Sequence, residues 1–182
     1  MKITKYILIS ISILILICQS VYPFSADVTS LNDANYFKTL HSLFLKAQKS
    51  IYIIMYRAIW YDKYPDSFSN KLIDSLIKAR KRGVDVRVIL DRPFEDKRDD
   101  GKENEKVGSM LSNNDIKVYF DSKEITTHSK LIIIDERFVI VGSTNWSYSA
   151  ISKNNETNAL IDSKEVAKEY IKYFEELAAL CK

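Results

Sequence analysis

Histidine and cysteine are scarce in this chain of 182 residues. The two histidines are His41 and His128, and the two cysteines are Cys18 and Cys181. Protein metal sites usually combine several such residues at short spacing, and no cluster of that kind occurs in the sequence. The sequence therefore predicts no metal and no cofactor. Because Cys18 lies in the N-terminal segment, it also predicts no internal disulfide in the rest of the chain.

The chain also lacks a large excess of charge of either sign. The chain has 27 basic and 24 acidic residues, with a formal net charge of +3. Two of the basic residues, Lys2 and Lys5, lie in the N-terminal segment, and without them 25 basic residues face 24 acidic ones. Proteins dedicated to nucleic acids carry a strongly basic surface. The balance therefore argues mildly against DNA or RNA as the sole substrate.

Long apolar runs are confined to the N-terminus, where two lysines precede an apolar run at residues 6–18. A basic stretch followed by such a run is typical of an export signal, and small residues near Ser20 allow cleavage. The alternatives are an uncleaved membrane anchor reaching Phe24 and a buried core helix. We assign residues 1–24 to a signal peptide or N-terminal anchor and 25–182 to a globular domain. The lysines favour the cytoplasmic side, so this domain would be secreted, periplasmic or membrane-anchored.

Strands and helices alternate along the remaining sequence. Apolar runs predict strands at 51–56, 84–90, 116–120, 131–134, 138–141 and 156–161. Helical periodicity predicts helices at 35–49, 68–82 and 165–179, and another that includes 107–111. Residues 23–33 are interpreted as a polar connector. This alternation indicates an α/β layered domain with helices on both faces of a mixed, mostly parallel sheet that contains one antiparallel hairpin.

The stretch 128–145 places several polar side chains at one end of a predicted hairpin. His128 and Lys130 are two residues apart, so they share a face on an extended strand. Two apolar strands joined by a short polar turn follow, and Gly142 lets the chain bend at the end of the second strand. Ser143 and Asn145 then add a hydroxyl and a carboxamide. An imidazole can attack phosphorus while an ammonium and an amide stabilise the developing charge, so this set suits an anionic phosphodiester.

These residues follow the order H-x-K, four residues, Asp135, six residues and G-S-x-N. This order resembles the HKD motif of the phospholipase D superfamily. The resemblance implies a phospholipase D-like fold and a phosphodiesterase in which His128 forms a phosphohistidine. Lys130 and Asn145 would hold the non-bridging oxygens, and Ser143 would add a hydrogen bond.

The same resemblance gives roles to three flanking positions. Glu156 would fix the tautomer and orientation of the histidine. Asp135 has a structural role in the motif, either bonding backbone amides or balancing Lys130. Gly142 is also structural.

Superfamily members normally combine two such motifs in one site, and this chain has one. It resembles the single-motif branch of Nuc-type endonucleases, bacterial phospholipase D-like proteins and mitochondrial cardiolipin hydrolases. It lacks the cysteine and histidine cluster of some animal members. That branch implies a homodimer whose two-fold axis passes through a shared site, with Trp146 and Glu156 near the contact. His41 has no second H-x-K around it, so we expect a partly exposed helix residue there.

Three functions remain open from the sequence. The first is an exported phospholipase D-type hydrolase of phosphatidylcholine- or cardiolipin-class lipids, with possible membrane association through the N-terminus. The second is an exported or tethered, metal-independent endonuclease acting on DNA or RNA. The third is a non-catalytic phosphate-binding module. An aromatic loop at 57–67, with Trp60 as a candidate substrate-binding residue, would touch lipid or stack bases. The alternative for this loop is a small cluster packed on the domain's own surface.

Overall fold

The computed structural model describes residues 23–92 and 99–181. The predicted signal peptide or anchor therefore lies almost wholly outside the described residues. Among the residues that are described, no helix is both long enough and apolar enough to cross a membrane.

Seven strands and five helices are formed by the described residues. The strands are β1 (Asp27–Ser30), β2 (Ser50–Met55), β3 (Asp85–Leu90), β4 (Lys117–Phe120), β5 (Lys130–Ile134), β6 (Phe138–Gly142) and β7 (Asn158–Asp162). The helices are α1 (Ala34–Lys46), α2 (Phe68–Lys81), α3 (Asp99–Ser112), α4 (Tyr148–Ser152) and α5 (Lys164–Leu180). Strands and helices fall close to their predicted positions, except that residues 27–30 form a strand where a connector was predicted.

The seven strands form one sheet in the order β1-β7-β6-β5-β2-β3-β4. Only the β2–β3 and β3–β4 pairs are parallel. The other four pairs are antiparallel, so the expectation of a mostly parallel sheet was wrong. The reason is that crossover helices connect β2, β3 and β4, whereas the β5–β6 hairpin inserts beside β2. Strand β7 then pairs antiparallel with β6, and the N-terminal strand β1 pairs antiparallel with β7.

Helices cover both faces of the sheet, which confirms the layered α/β architecture. Alternate side chains of β2 point to opposite faces: Ile51, Ile53 and Met55 enter the larger apolar cluster, and Tyr52 and Ile54 enter the smaller one. Helices α1 to α4 contribute to the larger cluster, and α5 packs over the smaller one. Because both faces of β2 and β5 are covered, these central strands form a rigid base for the loops at their ends.

The strand directions bring several loops to one edge of the sheet. The pairings place the C-terminal ends of β2, β3, β4 and β6 at the same edge as the N-terminal ends of β5 and β7. In open α/β sheets the carboxyl ends of parallel strands are the usual place for ligands. His128, Ser143 and Glu156 all lie in loops at this edge.

Asp135 lies at the opposite edge, in the turn between β5 and β6. Its carboxylate accepts hydrogen bonds from the backbone amides of Gln48, Lys49 and Ser50, with shortest distances of 3.0, 2.7 and 3.2 Å. Both Asp135 and Glu136 have left-handed backbone conformations, with φ of 55° and 56°. Asp135 therefore ties the turn to the start of β2. The length of β5, roughly 13 Å, separates it from Lys130.

Candidate active site

The histidine and the lysine of the motif share one aromatic neighbour. The His128 side chain is exposed before β5, and its ring centroid lies 4.4 Å from that of Tyr56. Lys130 is the first residue of β5 and is only 7% exposed. Its Nζ atom donates a 2.8 Å hydrogen bond to the carbonyl oxygen of His128 and lies 4.7 Å from the Tyr56 ring centroid. The imidazole and the ammonium are thus held beside each other against one ring.

The surroundings lower the pKa of both groups. Desolvation, and then the charge of Lys130, lower the pKa of His128 below its ordinary value. Desolvation also lowers the pKa of Lys130, whereas the carboxylates of Glu156 and Asp91 act in the opposite direction. A lowered pKa favours the unprotonated imidazole, which is the form that can act as a nucleophile.

Two buried aspartates, which the sequence analysis did not identify, hold the backbone next to His128. The amide of Thr127 donates to Oδ1 of Asp91 at 2.7 Å and to Oδ2 of Asp121 at 3.1 Å. Asp91 is 1% exposed and Asp121 is 4% exposed. Each directly follows a parallel strand, β3 or β4. That position, a carboxylate directly after a parallel strand, is the signal that would have marked them in the sequence.

Asn104 of α3 fastens the ends of two strands at the same edge. Its side-chain amide nitrogen donates to the carbonyl oxygens of Tyr56 at 2.8 Å and Asp91 at 2.9 Å. Its side-chain oxygen accepts from the amide of Ala58 at 2.9 Å. Asn104 is 1% exposed, so these hydrogen bonds satisfy a fully buried amide and fix the backbone that carries Tyr56.

Ser143 and Glu156 are joined to each other. The Ser143 hydroxyl donates to Oε2 of Glu156 and accepts a 3.1 Å hydrogen bond from the amide of Thr157. The other carboxylate oxygen accepts from the Asn154 side chain at 2.9 Å. Within the described part of a single chain, no hydrogen bond joins Glu156 to His128. The predicted contact, in which this carboxylate orients the histidine, is therefore not formed inside one chain.

Gly142 is where β6 passes closest to β7. A β-carbon at this position would collide with the side-chain oxygen of Asn158 and the carbonyl oxygen of Thr157. Any larger residue would push the end of β6 away from β7 and displace Ser143, whose amide donates to Thr157 at 3.1 Å. Glycine at position 142 thus allows the end of β6 to lie close against the start of β7.

The segment after Ser143 is joined to the loop that follows β2. Asn145 is half-buried, and its side-chain oxygen is buried without a hydrogen bond to any described residue. The next residue, Trp146, accepts from the amide of Ile59 and donates to the carbonyl of Arg57, both at 2.9 Å. These bonds hold the backbone next to Asn145 against the loop that leads away from Tyr56.

Two aromatic residues lie deeper than the sequence suggested. Trp146 is 2% exposed and its indole donates to the hydroxyl of Tyr36 at 3.1 Å, so it is a core residue. Its position near a dimer contact stays a prediction, since burial within one chain does not determine where a second chain binds. Trp60 is partly buried and packs against the larger apolar cluster.

His41 lies away from this edge on the surface of α1. Its ring stacks on Phe37 with centroids 5.3 Å apart. The start of α1 is at the site edge, because Asp33 accepts a hydrogen bond from the amide of Glu156 at 2.9 Å. His41 is seven residues beyond Ala34, about 10 Å along the helix axis. His128 is therefore the histidine that one chain brings to the site. Within the described residues, no three His, Cys, Asp or Glu side chains are grouped as metal ligands.

The mixed sheet and its histidine–lysine hairpin define a phospholipase D-like α/β domain. Residues 40–178 match the family described as cardiolipin synthase, PLD-like domain. The chain belongs to this PLD-like family of the phospholipase D superfamily, which confirms the resemblance of the motif.

Two relatives illustrate the similarity in sequence. A phospholipase D of Rickettsia prowazekii is 36% identical over 129 residues, which cover 69% of this chain and 54% of that protein. A mitochondrial cardiolipin hydrolase of Xenopus tropicalis is 28% identical over 142 residues, which cover 78% of this chain and 60% of that protein. The chain thus spans little more than half the length of these curated relatives.

Two solved structures show the same fold. Nuc from Salmonella typhimurium, a phospholipase D family member, superposes with a TM-score of 0.72 at 22% identity, covering 87% of this chain and 97% of Nuc. NucT from Helicobacter pylori superposes with a TM-score of 0.65 at 20% identity, covering 86% of this chain and 98% of NucT. At these identities the likeness concerns the fold alone.

Proposed function

We propose that this chain is a phosphodiesterase of the phospholipase D type that hydrolyses a phospholipid through a phosphohistidine at His128. The observation that carries the proposal is an exposed imidazole with a lowered pKa, held beside the buried ammonium of Lys130 at the ligand-binding edge of the sheet. A ring nitrogen of His128 attacks phosphorus, and the bond from phosphorus to the leaving oxygen breaks. Water then attacks the phosphohistidine and returns the free imidazole.

Lys130 and Asn145 stabilise the negative charge that develops on the non-bridging oxygens. Donors fixed in place before the reaction are most effective, because they need no reorganisation in the transition state. Lys130 meets this condition, since its ammonium is anchored on the carbonyl of His128 and on the Tyr56 ring. Ser143, held by Glu156 and Thr157, adds a hydroxyl at the same edge.

The leaving oxygen needs a proton, and one chain brings only one histidine to the site. We therefore propose a homodimer in which a two-fold axis brings a second His128 to the same phosphodiester as the general acid. Glu156 supports this arrangement, because its carboxylate lies at the site edge without a histidine partner inside its own chain.

A phospholipid is the favoured substrate class. The near-balanced charge favours it over a nucleic acid, and the Rickettsia and Xenopus relatives bear the names of lipid hydrolases. Residues 1–24 would export the domain across the membrane or anchor it there, which N-terminal sequencing of the purified protein would test.

The test is a cleavage assay with the purified full chain in the presence of EDTA. Phosphatidylcholine vesicles, cardiolipin vesicles, plasmid DNA and RNA are offered in parallel. We expect cleavage of lipid, loss of activity in His128→Asn, and a fall of about 10²–10³-fold in Lys130→Ala, the typical value of one preorganised donor. Cleavage of DNA or RNA alone would identify an endonuclease, and binding without any cleavage would identify a phosphate-binding module. Activity that disappears with EDTA and returns with a divalent ion would contradict the phosphohistidine mechanism.

A further inference from the structure

A surface pocket lined by tyrosines is formed by the loops that lead away from Tyr56 and Asn145. Its volume is about 780 Å³, and its lining includes Tyr61, Lys63, Tyr64 and Tyr148. Tyr64 is 67% exposed and Tyr148 is 52% exposed. Large aromatic side chains exposed together are uncommon on a protein surface and mark interaction sites.

The pocket is held in shape from below by a buried residue. Asn70 is fully buried, accepts from the amide of Tyr61 at 2.9 Å, and donates to the carbonyl oxygens of Tyr61 and Tyr64 at 3.0 and 3.2 Å. The hydroxyl of Tyr61 accepts from the amide of Tyr148 at 2.9 Å, which joins the two walls. A pocket built in this way exists before a ligand binds, so little ordering is needed on binding.

Short stretches of chain connect the pocket with the residues around His128. Tyr148 is three residues beyond Asn145, and three residues of extended chain span at most roughly 11 Å. The other wall continues from Tyr56, whose ring touches His128, through Ala58, which bridges to Trp146. The headgroup and glycerol region of a bilayer is roughly 5–8 Å thick on each side, a comparable length. The separation of Tyr148 from Asn145 is thus of the same order as the interfacial part of one phospholipid.

The charges around the pocket favour an anionic lipid. Lys63 forms no ion pair with any described residue, and the ammonium of Lys153 lies 5.8 Å from the Tyr148 ring centroid. Of the carboxylates here, Asp66 lines the pocket and is paired with Lys71, and Asp62 is paired with Lys106. The tyrosine ring suits the boundary between water and lipid, because its body is apolar and its hydroxyl is polar. A nucleic acid would need a broader basic surface than this near-balanced chain offers.

We propose that this tyrosine pocket docks on the surface of an anionic phospholipid bilayer and holds the interfacial part of the lipid whose phosphodiester reaches His128. The inference rests on the proposed lipid phosphodiesterase and extends it by naming the surface that selects the substrate. Tyr64 and Tyr148 contribute apolar contact, and Lys63 attracts the anionic headgroups.

The experiment compares full-length variants on phosphatidylglycerol vesicles, phosphatidylcholine vesicles and soluble bis(p-nitrophenyl) phosphate. In the double variant Tyr64→Ala/Tyr148→Ala, the ratio of vesicle turnover to soluble turnover falls by about tenfold or more. Lys63→Glu lowers this ratio on phosphatidylglycerol more than on phosphatidylcholine. Tyr173→Ala and Lys168→Glu, exposed residues of the same types on α5, keep the wild-type ratios.

An unchanged ratio in the double variant overturns the docking proposal. The proposal is also overturned if the double variant loses activity on a single-stranded oligonucleotide but not on vesicles, since the pocket would then serve a nucleic acid. A wild-type chain that cleaves no phosphodiester refutes the proposed function instead. In that case sedimentation with phosphatidylglycerol vesicles still decides the inference. Weaker binding of Lys63→Glu than of Lys168→Glu supports docking, and equal binding overturns it. All variants carry the same N-terminal segment, so its contribution is common to them.

Discussion

The ammonium of Lys130 lies 4.7 Å from the centroid of the Tyr56 ring. The same ring contacts the imidazole of His128. An ammonium over an aromatic face gains about 0.5–2 kcal/mol, and about 1.4 kcal/mol corresponds to a tenfold change in rate. Tyr56→Leu removes the ring, so we expect kcat to fall by about 2- to 30-fold while the fold is retained. Tyr56→Phe keeps the ring and should retain more activity than Tyr56→Leu. Equal activity of the two variants would contradict a positioning role for the ring.

The lowered pKa of His128 predicts the acid side of the pH profile. Desolvation and Lys130 disfavour the imidazolium form, so the imidazole stays unprotonated to a lower pH than an ordinary histidine, whose pKa is about 6.5. Only the unprotonated ring can attack phosphorus. The kcat/KM of the wild type should therefore fall, as pH decreases, with an apparent pKa below about 6.5.

Lys130→Ala supplies the control for this pH dependence. Removing the neighbouring ammonium removes one of the two causes of the shift, so the apparent pKa of His128 should move upward. Titration of the His128 ring by NMR measures this directly and does not depend on residual activity. A ring that titrates at the same pH in both proteins would show that Lys130 does not act on His128.

Asp121 should act on catalysis through the position of the Thr127 backbone. The carboxylate of Asp121 accepts hydrogen bonds from the backbone amides of Arg92 and Thr127. Asp121→Asn replaces this carboxylate by a neutral carboxamide. Hydrogen bonds to charged groups contribute about 1.5–3 kcal/mol, so we expect a lower melting temperature. We also expect kcat to fall while KM is retained, since no substrate contact is removed. Asp27→Asn is the matched control, because Asp27 is exposed on β1 and pairs with Asp162 at the edge opposite the site. A loss of stability without any change in kcat would limit Asp121 to a structural role.

The shared site predicts how mixed dimers behave. If two copies of His128 act on one phosphodiester, a heterodimer of wild type and His128→Asn lacks either the nucleophile or the acid. At constant total protein, replacing an increasing share of the wild type by His128→Asn under conditions that allow subunit exchange should lower activity with the square of the wild-type fraction. A decrease in simple proportion to that fraction, or full activity of a monomer at nanomolar concentration, would contradict the shared site.

The sequence was most informative where function and structure are local. The β5–β6 hairpin could be predicted with its turn, because apolar strands, polar turn residues and Gly142 follow one another within a short stretch. Asp135 was expected to be structural in the motif, and its carboxylate does bond backbone amides. These features depend on residues close to one another in the chain.

Other features depend on contacts between distant segments. Strand β1 was missed because all its residues are exposed and it is held by backbone pairing with β7, which leaves no apolar pattern. The sheet direction was misjudged because pairing partners are chosen by packing of the whole domain. Asp91, Asp121 and Asn104 come from three different elements, and only the folded sheet shows that they converge beside Tyr56 and Thr127.

The turn at Asp135 explains why the motif has a fixed length. In the paired register Leu131 faces Val141 and Ile134 faces Phe138, so Lys130 and Gly142 begin and end the hairpin at equivalent heights. One residue added to or removed from either strand would reverse the facing of every side chain beyond it and separate Lys130 from Ser143 and Asn145. The number of residues between the lysine and the glycine is therefore a length set by two strands and their turn, and substitutions can accumulate within it far more readily than insertions or deletions.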